Sequence, residues 1–191
     1  FSRSHVSGKQ KKIYEAKNLQ DIDRLGLESQ NPESVIEALK IISKTSDSES
    51  HKLVANLLLE DEAFVRNVSF EMTEVDADFA GNYSRLTDGS HNVLINTKTG
   101  NGLGLENVLL EEYVHAFLNN VANLPLENLT PNQKTSRTRL EGLFKLAENE
   151  YRKGPANPYM EDAFENFDEF LAKFLLSPKL QALIKDLEPP K

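Results

Sequence analysis

The chain has 191 residues, a formal net charge of −8, 27% charged residues and 39% hydrophobic residues, which is the balance of a globular domain rather than a disordered or fibrous chain. The excess of acids argues against broad nucleic-acid binding, which needs clustered Lys and Arg, and no apolar run is long enough to cross a bilayer. Without cysteine, any metal site must use His, Asp or Glu.

The first thirty residues are polar and rich in lysine, and their apolar residues are too widely spaced to predict one strong helix. We therefore expect residues 1–30 to form an extension or linker and residues 31–191 to form one domain. The extension also holds a local group of basic residues, which are Lys9, Lys11, Lys12 and Lys17.

Two amphipathic helices are predicted after residue 30. Asn31, Pro32 and Glu33 supply a capping side chain, a proline at the first helical position and an acid in the first turn. The apolar residues that follow recur at helical spacing in two groups, and each group should face a core. They are Val35, Ile36, Leu39 and Ile42, and, after a serine-rich break, Leu53, Val54, Leu57 and Leu58.

The hydrophobic period then changes from helical to alternating. One strand is predicted by Val68, Phe70 and Met72, and another by Val93 and Ile95. Turn residues lie between them at 80–83 and 88–89. The glycines at 100, 102 and 104 predict a hinge ahead of a helix over about residues 105–122, which Pro125 ends.

Three further helices are predicted in the last third of the chain. Thr130 and Pro131 start the first, which ends at Gly154, and Ser177 and Pro178 start the last. Between them a stripe of apolar residues predicts a helix through Phe164, Phe167, Phe170, Leu171 and Phe174. The order of helices, a few strands and more helices predicts an α+β fold with a mainly helical C-terminal half.

The chemically informative stretch is residues 109–118, Leu-Leu-Glu-Glu-Tyr-Val-His-Ala-Phe-Leu, in the long central helix. Glu111 and His115 are four residues apart, so their side chains share one helix face and could bind one metal ion. Spacing alone allows a simpler alternative, the solvated polar face of an amphipathic helix. Both interpretations stay open at this point.

The same stretch resembles the zincin motif H-E-x-x-H-A, with Glu111 in place of the first histidine and Glu112, His115 and Ala116 at matching positions. The resemblance covers roughly residues 31–187 and is greatest to the zincin-like domains of large polyvalent proteins of phages and mobile elements. Its other elements are weak individually but follow the family's order: paired helices, a strand, an Ala-Gly-x-Tyr turn like residues 80–83 and a strand just before the motif. It implies a small, mostly antiparallel sheet packed on an active-site helix.

The resemblance also implies the roles of a gluzincin site, in which three side chains hold Zn²⁺ and a glutamate activates water. Glu111, His115 and Glu169 would be the ligands and Glu112 the general base. Glu169 is included because residues 166–172, Asn-Phe-Asp-Glu-Phe-Leu-Ala, resemble the family's E-F-x-A-E segment, although Lys173 stands where a second acid is common. For Glu169 the alternative is an ordinary solvated glutamate.

In zincins the edge strand ahead of the active helix commonly binds an extended peptide by strand addition. The matching residues here would be Asn92, Val93, Leu94, Ile95 and Asn96, with an ordinary core strand as the alternative. The remaining histidines, His5, His51 and His91, are expected at the surface.

The glutamate at position 111 leaves two functional hypotheses. A metal held by two carboxylates and one imidazole would be a weaker Lewis acid than zincin Zn²⁺, so activity would fall or harder ions such as Mn²⁺ or Ca²⁺ would be preferred. Loss of the metal would leave a non-catalytic pseudoenzyme acting as a structural or binding module. The family implies a peptide or protein partner, or other segments of a larger polyprotein, in a virion or in the cytoplasm of a bacterial host.

Overall fold

The computed structural model describes residues 20–77, 79–98, 104–122, 125–154, 158–185 and 187. The chain divides into two compact units, with the boundary between Ala116 and Phe117. Three sequence predictions lie wholly or partly outside the described residues: the extension up to residue 19 with its lysine group, His5, and the glycine hinge up to residue 103.

The first unit begins with helices. Residues 20–25 are helical and are followed by α1 (Pro32–Thr45), α2 (Glu49–Leu59) and α3 (Glu62–Asn67). Helix α1 starts as predicted, because Pro32 occupies its first turn and the Asn31 side chain accepts a hydrogen bond from the Glu33 backbone N–H.

The residues just before α1 are packed against this unit. Leu25 and Leu27 are buried. The backbone N–H of Gln30 donates to the Phe70 carbonyl oxygen at 2.7 Å, and the Ser29 hydroxyl oxygen accepts from the Met72 N–H at 3.0 Å. Residues 25–30 thus contact the first strand of the sheet.

Burial in α1 matches the prediction, but burial in α2 differs from it. Val35, Ile36, Leu39 and Ile42 are all fully buried, and so are Val54 and Ala55. Leu53 is 66% exposed, and the prediction that it faces the core was wrong. The buried face of α2 is centred on Val54 and Leu58, and Leu53 is displaced from Val54 by about 100° around the helix.

In the described part of the chain the sheet has three strands, β1 (Val68–Thr73), β2 (Gly81–Arg85) and β3 (His91–Asn96), in the order β1-β3-β2. Strand β3 pairs parallel with β1 and antiparallel with β2. The sheet is therefore mixed, not mostly antiparallel, because the β2–β3 hairpin places its second strand beside β1. Residues 81–83, predicted as part of a turn, belong to strand β2.

Strand β3, predicted to be an edge strand that binds substrate, is the middle strand. Its residues 92–96 pair with β1 on one side and with β2 on the other, so they cannot accept a peptide by strand addition. The edge prediction was wrong because the alternation of Val93 and Ile95, which are both buried, indicates a strand without indicating its neighbours. The outer strands are β1 and β2.

Helix α4 (Leu105–Ala122) contains the motif and has the predicted bounds. Gly104 precedes it with a φ of 81°, a left-handed conformation that glycine adopts without strain. Its apolar residues Leu109, Leu110, Tyr113 and Ala116 are fully buried.

The second unit is helical in its described part. After a 3₁₀ turn (Leu126–Asn128) it contains α5 (Pro131–Tyr151), α6 (Pro158–Glu161), a second 3₁₀ turn (Asp162–Phe164), α7 (Phe167–Leu176) and α8 (Pro178–Ile184). Helix α5 starts at a capping box in which the Thr130 hydroxyl accepts from the Gln133 N–H and the Gln133 side chain accepts from the Thr130 N–H.

The predicted phenylalanine helix is divided in two. Phe164 lies in the second 3₁₀ turn, and α7 begins after Asn166, whose side chain accepts from the Glu169 backbone N–H at 2.9 Å. The core of this unit includes Phe164, Phe170, Leu180 and Ile184. Among the described residues, no helix of either unit combines the length and the apolar character needed to cross a membrane.

Candidate metal centre

Helix α4 carries Glu111, Glu112 and His115 on its polar side. Glu111 and His115 lie one turn apart, because residues at i and i+4 project from the same face of a helix. Glu111 is only 7% exposed, whereas Glu112 and His115 are partly exposed. A solvated polar face therefore does not describe Glu111, since glutamates are rarely buried without partners that compensate the lost hydration.

Asn107, one turn earlier, is one such partner. Its Nδ2 donates a hydrogen bond to Glu111 Oε2 at 3.2 Å, and the Asn107 side chain is buried as well. A hydrogen bond to a buried carboxyl oxygen restricts the orientation of the side chain. Glu111 is thus held as an oriented carboxylate inside the first unit.

Glu112, the predicted general base, lies against the start of strand β2. A Cβ atom added to Gly81 would be 2.5 Å from Glu112 Oε1 and 2.6 Å from Val108 Cγ1, which is closer than such atoms can approach. Position 81 therefore requires glycine if the Glu112 carboxylate is to stay where it is. The glycine of the Ala-Gly-x-Tyr segment has a steric role beside the predicted base.

Glu169, the predicted third ligand, lies in the first turn of α7 and is partly exposed. Glu111 and His115 belong to the first unit, whereas Glu169 belongs to the second. These are the three ligands that the resemblance implies. Two carboxylates and one imidazole are a chemically reasonable set for a divalent transition-metal ion.

A second polar cluster, at the start of α4, was missed from the sequence. The Glu106 carboxylate accepts hydrogen bonds from the Ser46 hydroxyl, from His51 Nδ1 at 2.6 Å and from Arg24 Nη2 at 2.7 Å. Burial alone would raise the pKa of Glu106, but the bonds from His51, Ser46 and Arg24 outweigh it and lower that pKa to about 2. The carboxylate is therefore ionised over the physiological pH range.

The expected surface location is wrong for both described histidines outside the motif. The side chain of His51 is 15% exposed and contacts Glu106, while His91 is buried, with Nδ1 2.9 Å from the Tyr83 hydroxyl and its ring stacked on that tyrosine. His51 and Glu106 are 55 residues apart in the chain, so no local spacing in the sequence could indicate their contact.

Comparisons of the chain with known protein families, with curated proteins and with solved structures gave no match. Function must therefore be inferred from the chemistry of the site.

Proposed function

We propose that this chain is a zincin-like metallopeptidase domain in which Glu111, His115 and Glu169 hold a divalent metal ion and Glu112 acts as the general base. The observation that carries the proposal lies within the first unit: Glu111 and His115 are one turn apart on α4, and Asn107 orients the Glu111 side chain by a hydrogen bond. Glu169 is included because residues 166–172 resemble the segment that holds the third ligand in gluzincins. The burial of Glu111 adds support, because a buried carboxylate is stabilised by a neighbouring cation.

The proposed reaction is hydrolysis of a peptide bond. A bound divalent ion would supply Lewis-acid activation of water and of the scissile carbonyl. Glu112 would accept a proton as the water oxygen adds to the carbonyl carbon, and would deliver it to the leaving nitrogen as the C–N bond breaks. Its position next to Glu111 in the chain and beside strand β2 suits this role.

Glu111 in place of histidine sets the expected metal preference and rate. A carboxylate adds negative charge and oxygen ligation, which favours harder ions such as Mn²⁺ over Zn²⁺. The added charge also makes a bound water less acidic, so we expect slow hydrolysis compared with a two-histidine site.

Strand β2 is the proposed binding edge for the substrate. Among the described residues, β2 pairs only with β3, and Gly81 at its start contacts the Glu112 side chain. A peptide that added to this edge would have its backbone next to Glu112, which β3 cannot offer from the middle of the sheet.

A second candidate function is a non-catalytic module that binds a peptide without cutting it, as part of a phage or mobile-element protein. The observation that favours it is the hydrogen bond from Asn107 to Glu111, because the buried carboxylate is then partly compensated by the protein itself. In this case the β2 edge would be the functional surface and the metal position would have lost its role.

The deciding experiment is metal analysis of the purified chain by mass spectrometry, after incubation with Mn²⁺, Zn²⁺ or Co²⁺ and removal of free ion. The proposal expects one ion per chain, lost in His115→Ala and in Glu169→Gln. Glu165→Gln, a change of an exposed glutamate just before α7, should keep the ion. Glu112→Gln should also keep the ion while hydrolysis of a peptide library falls by about 10²–10⁴-fold. Absence of metal from the unmodified chain with all three ions would reject the peptidase and favour the binding module.

A further inference from the structure

A continuous set of hydrogen bonds leads from the start of α4 to Glu111. His51 Nδ1 lies 2.6 Å from Glu106 Oε1, and its Nε2 lies 3.2 Å from Asn107 Oδ1. Asn107 then donates from Nδ2 to Glu111 Oε2 at 3.2 Å. All four side chains belong to the first unit, and Asn107 and Glu111 are buried.

The partners determine which atoms of His51 carry hydrogen. An ionised carboxylate can only accept, so Nδ1 must donate to Glu106, which the Ser46 hydroxyl and Arg24 keep ionised. Asn107 turns its amino group to Glu111, because its Nδ2 donates to Glu111 Oε2. Its Oδ1 then faces His51 and accepts from Nε2. With hydrogen on both ring nitrogens, His51 donates to both of these acceptors.

We propose that His51 and Asn107 are positioning residues for Glu111: the doubly protonated ring of His51, held by Glu106, fixes the Asn107 amide so that its amino group orients the Glu111 carboxylate. The effect of this positioning on metal binding rests on the proposed function. The protonation of His51 and the orientation of Asn107 do not depend on it. Partners of this kind behind a metal ligand change metal affinity by about 10–100-fold when they are removed.

The protonation state of His51 distinguishes a positioning role of these side chains from a packing role. If Glu106 loses its charge, His51 can release the proton on Nε2. The bare nitrogen would then accept from Asn107, the amide would turn over, and its carbonyl oxygen would face Glu111. If these side chains only packed together, the Asn107 amide would not turn in Glu106→Gln, because glutamine has almost the same shape as glutamate.

The first test is nitrogen NMR of the full chain with ¹⁵N-labelled histidine at neutral pH, with the His51 signals assigned by their loss in His51→Gln. We expect both ring nitrogens of His51 to carry hydrogen in the unmodified chain and one of them to be bare in Glu106→Gln. Glu49→Gln, a change at an exposed position of α2, should leave both protonated. One bare ring nitrogen in the unmodified chain would overturn the proposal, whether or not metal binds.

The second test is titration of Mn²⁺ into the full chain and its variants by calorimetry. Asn107→Leu and Glu106→Gln should bind Mn²⁺ about 10–100-fold more weakly, while the exposed change Asn56→Leu should not alter affinity. Unchanged affinity in Asn107→Leu, with folding intact by circular dichroism, would overturn the positioning role. If the unmodified chain binds no metal, the proposed function fails and the NMR result decides the hydrogen-bond assignment by itself.

Discussion

Gly81 and Glu112 are in contact so close that a single added carbon at Gly81 would lie 2.5 Å from Glu112 Oε1. The contact joins the edge strand β2 to the helix that carries the motif. It explains why the segment before the second strand needs glycine, and it connects the proposed substrate edge to the proposed base.

Replacing Gly81 with alanine should therefore displace the Glu112 carboxylate. We expect the rate of peptide hydrolysis to fall by about 10–100-fold, which is less than the full contribution of a general base. One metal ion per chain should remain bound. The free energy of unfolding should also fall by about 1–3 kcal/mol, because the new methyl group overpacks the contact. Peptidase assays, metal analysis and urea denaturation measure the three quantities.

Gly154→Ala is the control for this substitution. A Cβ at Gly154 would meet only the Tyr151 carbonyl oxygen at 3.6 Å, an ordinary contact distance. Equal effects of the two alanines on stability would show that Gly81 is not specially constrained.

The pKa of Glu106 predicts a defined loss of stability in acid. Its value falls from 4.5 to about 2 on folding, so the ionised form stabilises the native state fully above about pH 4.5, and this contribution disappears as pH falls through about 2. The shift corresponds to about 3 kcal/mol. Urea denaturation between pH 6 and pH 2 should show that Glu106→Gln loses most of this dependence, whereas Glu49→Gln keeps it.

A Glu106→Gln variant with the same acid sensitivity as the unmodified chain would mean that other carboxyl groups cause the loss. The bonds from His51, Ser46 and Arg24 would then contribute little to native stability.

The sequence indicated the helices well because hydrophobic period and capping are local properties. Asn31, Thr130 and Ser177 cap helices where they were expected, and α4 has its predicted bounds. Partners distant in the chain were not accessible in this way. The place of β3 between two strands and the contact of His51 with Glu106 both depend on tertiary packing that no local period records.

The candidate site was predictable to different degrees. Helical spacing was enough to place Glu111 and His115 on one face, but not to show that Glu111 is buried, because polar positions of an amphipathic helix are usually exposed. Glu169 was predicted as a ligand only from the resemblance, because its helical pattern alone indicates an ordinary polar residue. The role of Gly81 was not predicted, because a glycine in a loop-like segment indicates a turn. Its close contact with Glu112 depends on tertiary packing.

Tyr113 offers a test of packing that is independent of the metal. Its ring is fully buried on α4, and its hydroxyl has no hydrogen-bond partner among the described residues. Burial raises the pKa of Tyr113, and an unpaired buried hydroxyl lowers stability. Tyr113→Phe should thus raise the free energy of unfolding by up to about 1 kcal/mol, whereas Tyr113→Ala should lower it by about 3–5 kcal/mol. A clear loss of stability in Tyr113→Phe would mean that the hydroxyl has a partner.

Replacing Glu111 with histidine should change the metal preference of the proposed site. The variant would have two imidazoles and one carboxylate, so we expect Zn²⁺ to bind more tightly relative to Mn²⁺. Competition with a chelator measures both affinities. Unchanged relative affinities would mean that residue 111 is not a ligand.

The gain in Glu111→His should be limited by Asn107. A histidine that binds metal through one ring nitrogen needs an acceptor for the hydrogen on the other, but Asn107 presents its amino group to position 111 while its oxygen accepts from His51. Glu106→Gln should release this constraint by allowing His51 to lose a proton and Asn107 to turn over. We therefore expect the double variant Glu106→Gln/Glu111→His to bind Zn²⁺ more tightly than Glu111→His, although Glu106→Gln alone weakens Mn²⁺ binding. Additive effects in this double-mutant cycle would mean that the two positions are not coupled through Asn107.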